Sequence, residues 1–74
     1  MTLKFAIVEA ARYPARARWA VFQGGERIGT MYRTGGFWEA KSYPADKYVH
    51  HEEFIRDLKG WLRRHYEGQE ISDG

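Results

Sequence analysis

The chain has 74 residues, of which 43% are hydrophobic and none is cysteine. This length suits one domain with a single core, and the lack of cysteine excludes disulfides, thiolate metal ligands and cysteine nucleophiles. No apolar run approaches the ~18 residues of a membrane span, and the first residues are too weakly basic for a secretory signal, so we expect a cytoplasmic protein.

The formal net charge of +2 combines two unequal parts. Residues 1–66 hold 12 Lys and Arg against seven Asp and Glu, whereas residues 67–74 hold three acidic residues and no basic one. We predict a single α+β domain over residues 1–66 and a flexible acidic tail over residues 67–74. The body is mildly basic, without the dense basic stripe of a protein that neutralises many phosphates.

The first segment, residues 2–10, is short and alternates Leu3, Phe5 and Ile7 with smaller or polar residues. This pattern favours a strand, and a helix is the competing interpretation. Residues 11–17 contain a proline and two arginines without periodicity, which is typical of a loop.

Two glycine doublets organise the middle of the chain, Gly24-Gly25 and Gly35-Gly36. Each separates two strand-like runs, and glycine meets the positive φ that type I′ hairpin turns require. The sequence therefore predicts a three-stranded antiparallel meander over residues 18–42.

Counting outward from two-residue turns places Val21 opposite Ile28 and Trp19 opposite Thr30. Neighbours along a strand point to opposite sides, so this register sorts the side chains into two faces. On the face that a helix covers we expect Ala20, Phe22, Gly29, Met31, Trp38 and Ala40, with Arg18, Arg27 and Arg33 at its margins. On the opposite face we expect Trp19, Val21, Ile28, Thr30, Tyr32, Glu39, Lys41 and Tyr43. A bulge at either turn would reverse the faces of one strand.

One helix is predicted after a crossover that contains Pro44. His50 is the expected N-cap, because Glu53 then completes a capping box and Val49 and Phe54 form a hydrophobic staple. The apolar arc of this helix comprises Phe54, Ile55, Leu58, Trp61, Leu62, His65 and Tyr66.

We expect Trp61 to pack over Ala20 and Ala40, and the helix to stop near Gly68. The predicted fold is α+β: a small antiparallel sheet, made of the three-stranded meander plus an amino-terminal strand, packed on one face by a single carboxyl-terminal helix (β-β-β-β-α).

The polar cluster from His50 to Glu53 and Asp57 is explained by helix capping and by the helix dipole. A zinc site needs three or four convergent ligands, and the chain has three histidines in all. The glycine doublets join strand to strand, so they do not form a phosphate loop. We expect neither catalysis nor a cofactor nor a metal.

The leading functional prediction is a non-catalytic interaction module whose open sheet face binds a protein partner or a second copy of the chain. Interface centres are poor in charge and rich in aromatic residues. The predicted partner-binding residues are Trp19, Val21, Ile28, Thr30, Tyr32, Lys41 and Tyr43. We expect no small-molecule substrate and no membrane contact.

The alternative is a nucleic-acid-binding domain. Its candidate contacts are Arg12, Arg16, Arg18, Arg56, Lys59 and Arg63. The order of strands and helix over residues 18–66 is similar in outline to phage-integrase amino-terminal domains and AP2-type DNA-binding domains, which use the free sheet face, and to the latter part of double-stranded RNA-binding domains. Trp19 and Tyr32 are available for stacking with bases. The predicted register disfavours this alternative, because it puts Arg18, Arg27 and Arg33 on the helix side, away from those aromatic residues.

Overall fold

The computed structural model describes residues 2–67, which form one five-stranded sheet and one helix. In chain order the elements are β1 (Leu3–Glu9), β2 (Arg18–Gln23), β3 (Glu26–Thr34), β4 (Phe37–Ser42), β5 (Tyr48–Glu52) and α1 (Ile55–Tyr66). Each strand pairs antiparallel with its neighbour in the chain, so the spatial order is β1-β2-β3-β4-β5. The predicted α+β class, with an antiparallel meander and a carboxyl-terminal helix, is confirmed.

The glycine turns are placed as the sequence predicts. Gly24 and Gly25 have φ of 63° and 82°, and Gly35 has φ of 60°, in the left-handed region that glycine adopts without strain. The first segment is a strand, which settles the choice between strand and helix.

The predicted register between β2 and β3 is wrong beyond the first pairs. Trp19 lies opposite Met31 and Val21 opposite Gly29, because Ile28 is an extra, bulged residue in β3. A bulge shifts the partner strand by one position and therefore exchanges its two faces. Trp19 and Val21 consequently lie on the helix side, whereas Ala20 and Phe22 lie on the other side.

Residues 48–52 form a strand, which corrects the prediction that His50 caps the helix. β5 pairs with the free edge of β4, with His50 opposite Ala40 and His51 opposite Glu39. The backbone groups of this segment are thus satisfied by a neighbouring strand, a tertiary contact that local capping signals do not report. The helix begins at Ile55, and Phe54 occupies the N-cap position without a side-chain cap, so the predicted capping box and staple are absent there.

The core lies between α1 and one face of the sheet. The buried residues of this cluster are Leu3, Val21, Met31, Trp38, Ala40, Leu58 and Leu62. Trp19 and Trp61 both pack against it, so the expectation that they lie on opposite sides of the sheet is wrong. Trp61 does not cover Ala20; its ring stacks on His50 instead, with centroids 3.9 Å apart.

The two ends of the helix differ from the prediction in detail. Phe54 and His65, which were placed on its apolar arc, are exposed. At the other end the Glu67 carboxylate accepts a hydrogen bond from the backbone N–H of Leu3, which ties the end of α1 to β1. Glu67 therefore belongs to the fold, whereas the predicted stop at Gly68 and the rest of the predicted tail lie outside the described residues.

Candidate functional site

The side of the sheet away from α1 carries no covering element within residues 2–67, and we call it the open face. Its register places basic and aromatic side chains next to one another across the strands. The alanines Ala6 and Ala20 lie on this face between larger side chains. The polar and aromatic residues of the open face are Lys4, Glu9, Arg18, Phe22, Arg27, Thr30, Tyr32, Thr34, Phe37, Glu39, Lys41, Tyr43, Tyr48 and His51.

Two arginines of the open face lie over tyrosine rings. The Arg27 Cζ atom is 4.0 Å from the centroid of the Tyr43 ring, and the Arg18 Cζ atom is 4.8 Å from that of Tyr32. Such cation–π contacts hold a guanidinium flat on an aromatic surface. Arg27 also donates from Nη2 to Thr30 Oγ1 at 2.9 Å, so its guanidinium is held at a defined position.

Tyr32 lies at the centre of a polar group on this face. Its hydroxyl donates to Glu39 Oε2 at 2.8 Å, and Lys41 Nζ lies 5.8 Å from the centre of its ring. The pKa of Tyr32 is raised mainly by burial and secondly by the hydrogen bond to Glu39. The pKa of Lys41 is raised mainly by its hydrogen bond to Tyr32 and secondly by the negative charge of Asp46. At neutral pH the tyrosine is therefore a neutral ring and the lysine a cation.

The β5 end of the open face is aromatic. The Tyr48 hydroxyl lies 2.6 Å from His51 Nδ1, and the rings of Phe37 and His51 have centroids 4.7 Å apart. Tyr48 is 57% exposed, so its ring is available to a ligand.

The positive charge of the chain is concentrated in its first part. Residues 2–47 hold eight Lys and Arg against four Asp and Glu, whereas residues 48–67 hold four of each. The net excess therefore belongs to the first four strands and their connections, although α1 alone holds four Lys and Arg against Asp57. On the open face the carboxylate of Glu39 is already bonded to Tyr32.

The structure divides the predicted partner-binding residues. Those on the open face are Thr30, Tyr32, Lys41 and Tyr43. Those on the helix side are Trp19, Val21 and Ile28, which pack against the core. The predicted apolar patch therefore loses its tryptophan and both aliphatic residues.

The predicted nucleic-acid contacts also divide into two groups. Arg12, Arg16 and Arg18 line one cleft at the end of the sheet. The three others, Arg56, Lys59 and Arg63, belong to α1 on the opposite layer. Lys59 Nζ lies 4.1 Å from the centre of a Trp19 ring, so this cation lies beside the core.

The histidines of β5 have structural partners. His50 Nε2 lies 2.7 Å from Glu52 Oε2, and its ring stacks on Trp61. Because these residues lie in β5, the interpretation as helix capping does not apply to them. In the described part of the chain no three His, Cys, Asp or Glu side chains are grouped to hold a metal ion.

Sequence reasoning missed several members of the open face: Lys4, Glu9, Arg18, Phe22, Arg27, Thr34, Phe37, Tyr48 and His51. A signal for Arg18, Phe22 and Arg27 was present at Gly29, because glycine inside a strand often marks a bulge or a close backbone approach. A Cβ atom at Gly29 would lie 2.9 Å from the Lys41 carbonyl oxygen, so the close approach is real.

Comparison of the chain with protein-family models, curated proteins and solved structures gives no significant match. Among residues 2–67 the helix falls short of the length and apolarity needed to cross a membrane. The features of the chain that point to a function are therefore the geometry and the charges of the open face.

Proposed function

We propose that the protein is a non-catalytic nucleic-acid-binding domain, and that its open face binds a single strand. The observation that carries this proposal is the position of Arg18 and Arg27, which lie over Tyr32 and Tyr43 on the uncovered side of the sheet. The bulge at Ile28 thus reverses the sequence argument that had separated these cations from the aromatic rings.

Single-strand binding combines cations that follow the phosphates with flat surfaces on which bases stack. The exposed ring of Tyr48 offers such a surface, and so do the guanidinium planes of Arg18 and Arg27 that lie over Tyr32 and Tyr43. A duplex hides the faces of its bases, whereas a single strand exposes them to these surfaces. The single strand is therefore the form that this surface suits best.

Binding of a protein partner or of a second copy is the second candidate function. It is favoured by the outer strand β1, whose outer edge pairs with no other strand of residues 2–67 and where Ile7 and Val8 are 54% and 51% exposed. Such an edge can add a strand from another chain. Light scattering on a concentrated sample would show a dimer if this edge pairs, and a strict monomer would contradict self-association.

We also propose a cytoplasmic location, because a chain without cysteine suits a reducing compartment. A cytoplasmic protein has ready access to RNA and, in a cell without a nucleus, to DNA.

The experiment that tests the proposed function measures fluorescence anisotropy of a labelled single-stranded oligonucleotide of mixed sequence between about 50 and 200 mM salt. R18Q/R27Q removes two cations from the open face. The logarithm of the affinity decreases as the logarithm of the salt concentration rises. We expect this slope to become less negative by about 1.4 in the variant, at about 0.7 per lost phosphate contact.

R56Q/R64Q is the matched control, because it removes two exposed cations from the helix layer. The control should keep the slope of the unaltered protein. Equal losses in both variants would show general attraction to a polyanion and would contradict a specific open-face site.

A further inference from the structure

The turn between β1 and β2 is an ordered extension of the sheet. Arg12 and Ala15 exchange two backbone hydrogen bonds and form an isolated bridge, with Tyr13 and Pro14 at the tip. Tyr13 is fully exposed. The segment predicted as a loop is therefore a short hairpin tip with a defined backbone conformation. The backbone positions from which the side chains of Arg12 and Arg16 extend are defined as well.

A cleft of about 340 Å³ lies between this tip and the end of β3. Four arginines, one carboxylate and one aromatic residue supply its charged and polar lining: Arg12, Arg16, Arg18, Arg33, Glu9 and Tyr32. The cleft opens beside Tyr32 and is therefore continuous with the open face.

The charges of the cleft are not neutralised internally. Glu9 Oε1 lies 3.8 Å from Arg18 Nε, and the two side chains are 71% and 47% exposed. Because solvent screens such a pair, this ion pair contributes little free energy. Within residues 2–67 no carboxylate lies within ion-pair distance of Arg12, Arg16 or Arg33. Like charges gathered in a cleft repel one another and create a positive potential that an anion relieves.

We infer that this cleft is a phosphate-binding site formed by Arg12, Arg16 and Arg18, whereas Arg33 lines the edge of the cleft from a position opposite Trp38 on the covered face. Guanidinium groups match phosphate oxygens with paired N–H donors, which lysine cannot do. This inference deepens the proposed function, because a strand that crosses Tyr32 would place a backbone phosphate in the cleft. The same chemistry also fits a free phosphate group, and the experiment separates the two sources.

The first measurement follows the arginine Nε–Hε resonances by NMR while inorganic phosphate is added at constant ionic strength. We expect saturable shifts for Arg12 and Arg16 and none for Arg56 and Arg64 on the helix. Equal shifts for all four, or no shift, would overturn the site. Acetate is the control for a carboxylate ligand, and shifts as large with acetate as with phosphate would also overturn it.

The second measurement uses R12Q/R16Q with the labelled single-stranded oligonucleotide. We expect the salt slope to become less negative by about 1.4, again about 0.7 per phosphate contact, whereas R56Q/R64Q leaves it unchanged. An unchanged salt slope in R12Q/R16Q would overturn the cleft as a site for a phosphate of the oligonucleotide backbone. Loss of oligonucleotide binding in R18Q/R27Q would in that case still support the proposed function. Phosphate binding without oligonucleotide binding would support the cleft as a site for a free phosphate group and contradict the proposed function.

Discussion

The two faces of the sheet are built from the same strands and differ in what they do. On β2, Trp19 and Val21 point towards α1 and pack in the core, whereas Arg18 and Phe22 point the other way. Because side chains alternate along a strand, one extra residue at Ile28 decides which set is buried. A single bulge can thus exchange the covered and the uncovered side of a whole strand.

The chemistry of the two faces differs in the same way. The covered face joins aliphatic side chains such as Met31 and Leu58 in one cluster. On the open face Tyr32 is bonded to Glu39, and the ring of Tyr43 lies under Arg27. We therefore expect substitutions on the covered face to reduce stability, and substitutions on the open face to reduce binding.

The largest expected effect comes from Leu58→Ala, which removes a fully buried side chain from the helix. Such truncations cost about 2–5 kcal/mol, a large part of the stability of a small domain. Urea unfolding measures the loss. Phe54→Ala is the control, because Phe54 is 54% exposed. An equal loss in both variants would contradict the assignment of the covered face.

Gly29→Ala tests the close approach that accompanies the bulge. Its new Cβ atom would lie 2.9 Å from the Lys41 carbonyl oxygen, so a backbone must move. We expect a loss of about 1–3 kcal/mol in the free energy of unfolding. At Gly36 a Cβ atom meets nothing within 4 Å, so Gly36→Ala should stay within about 0.5 kcal/mol of the parent. Equal stability of the two variants would remove the structural reason for glycine at position 29.

Tyr43→Ala tests whether an aromatic ring of the open face contributes to oligonucleotide binding. Tyr43 is 46% exposed and its ring lies under Arg27, so we expect a loss of about 1 kcal/mol in stability, less than that of Leu58→Ala. Loss of one stacking ring should weaken binding of the labelled single strand by about 1–3 kcal/mol, or roughly 5- to 150-fold. Anisotropy measures this change, with Phe54→Ala as a control of similar exposure on the other layer. Unaltered affinity in Tyr43→Ala would argue against stacking at this ring.

The smallest expected effect is a pH dependence at Tyr32, whose pKa is raised above 10.0 by burial and by the bond to Glu39. The folded state holds this proton more tightly than the unfolded state does. The associated stability is therefore complete below pH 10 and is lost as the pH rises through the folded pKa. Tyrosinate absorbance of the parent minus that of Tyr32→Phe reports this group. A midpoint at or below 10 would contradict the described environment.

Much of the fold follows from local signals in the sequence. Alternation predicts β1, the glycine doublets predict both turns, and the apolar spacing of Leu58 and Leu62 predicts the helix face. Each of these signals depends on residues close together in the chain.

The remaining features depend on distant partners. β5 was predicted as a helix start, because its capping signals are local whereas its pairing with the edge of β4 is not. The bulge at Ile28 lies beside Gly29, whose backbone closely approaches Lys41 on the next strand, a contact between residues 12 positions apart in the chain. Since the faces of β2 and the start of β3 depend on that bulge, Arg18, Phe22 and Arg27 could not be assigned to the open face from the predicted register.

The central claim is that the bulge at Ile28 places Arg18 and Arg27 on the uncovered face. The most direct test is the set of nuclear Overhauser contacts between the backbone protons of β2 and β3. In the bulged register we expect Trp19 to contact Met31 as the directly opposed residue of β3. A contact between Trp19 and Thr30 as the directly opposed pair would restore the unbulged register, return both arginines to the helix side and contradict the proposed function.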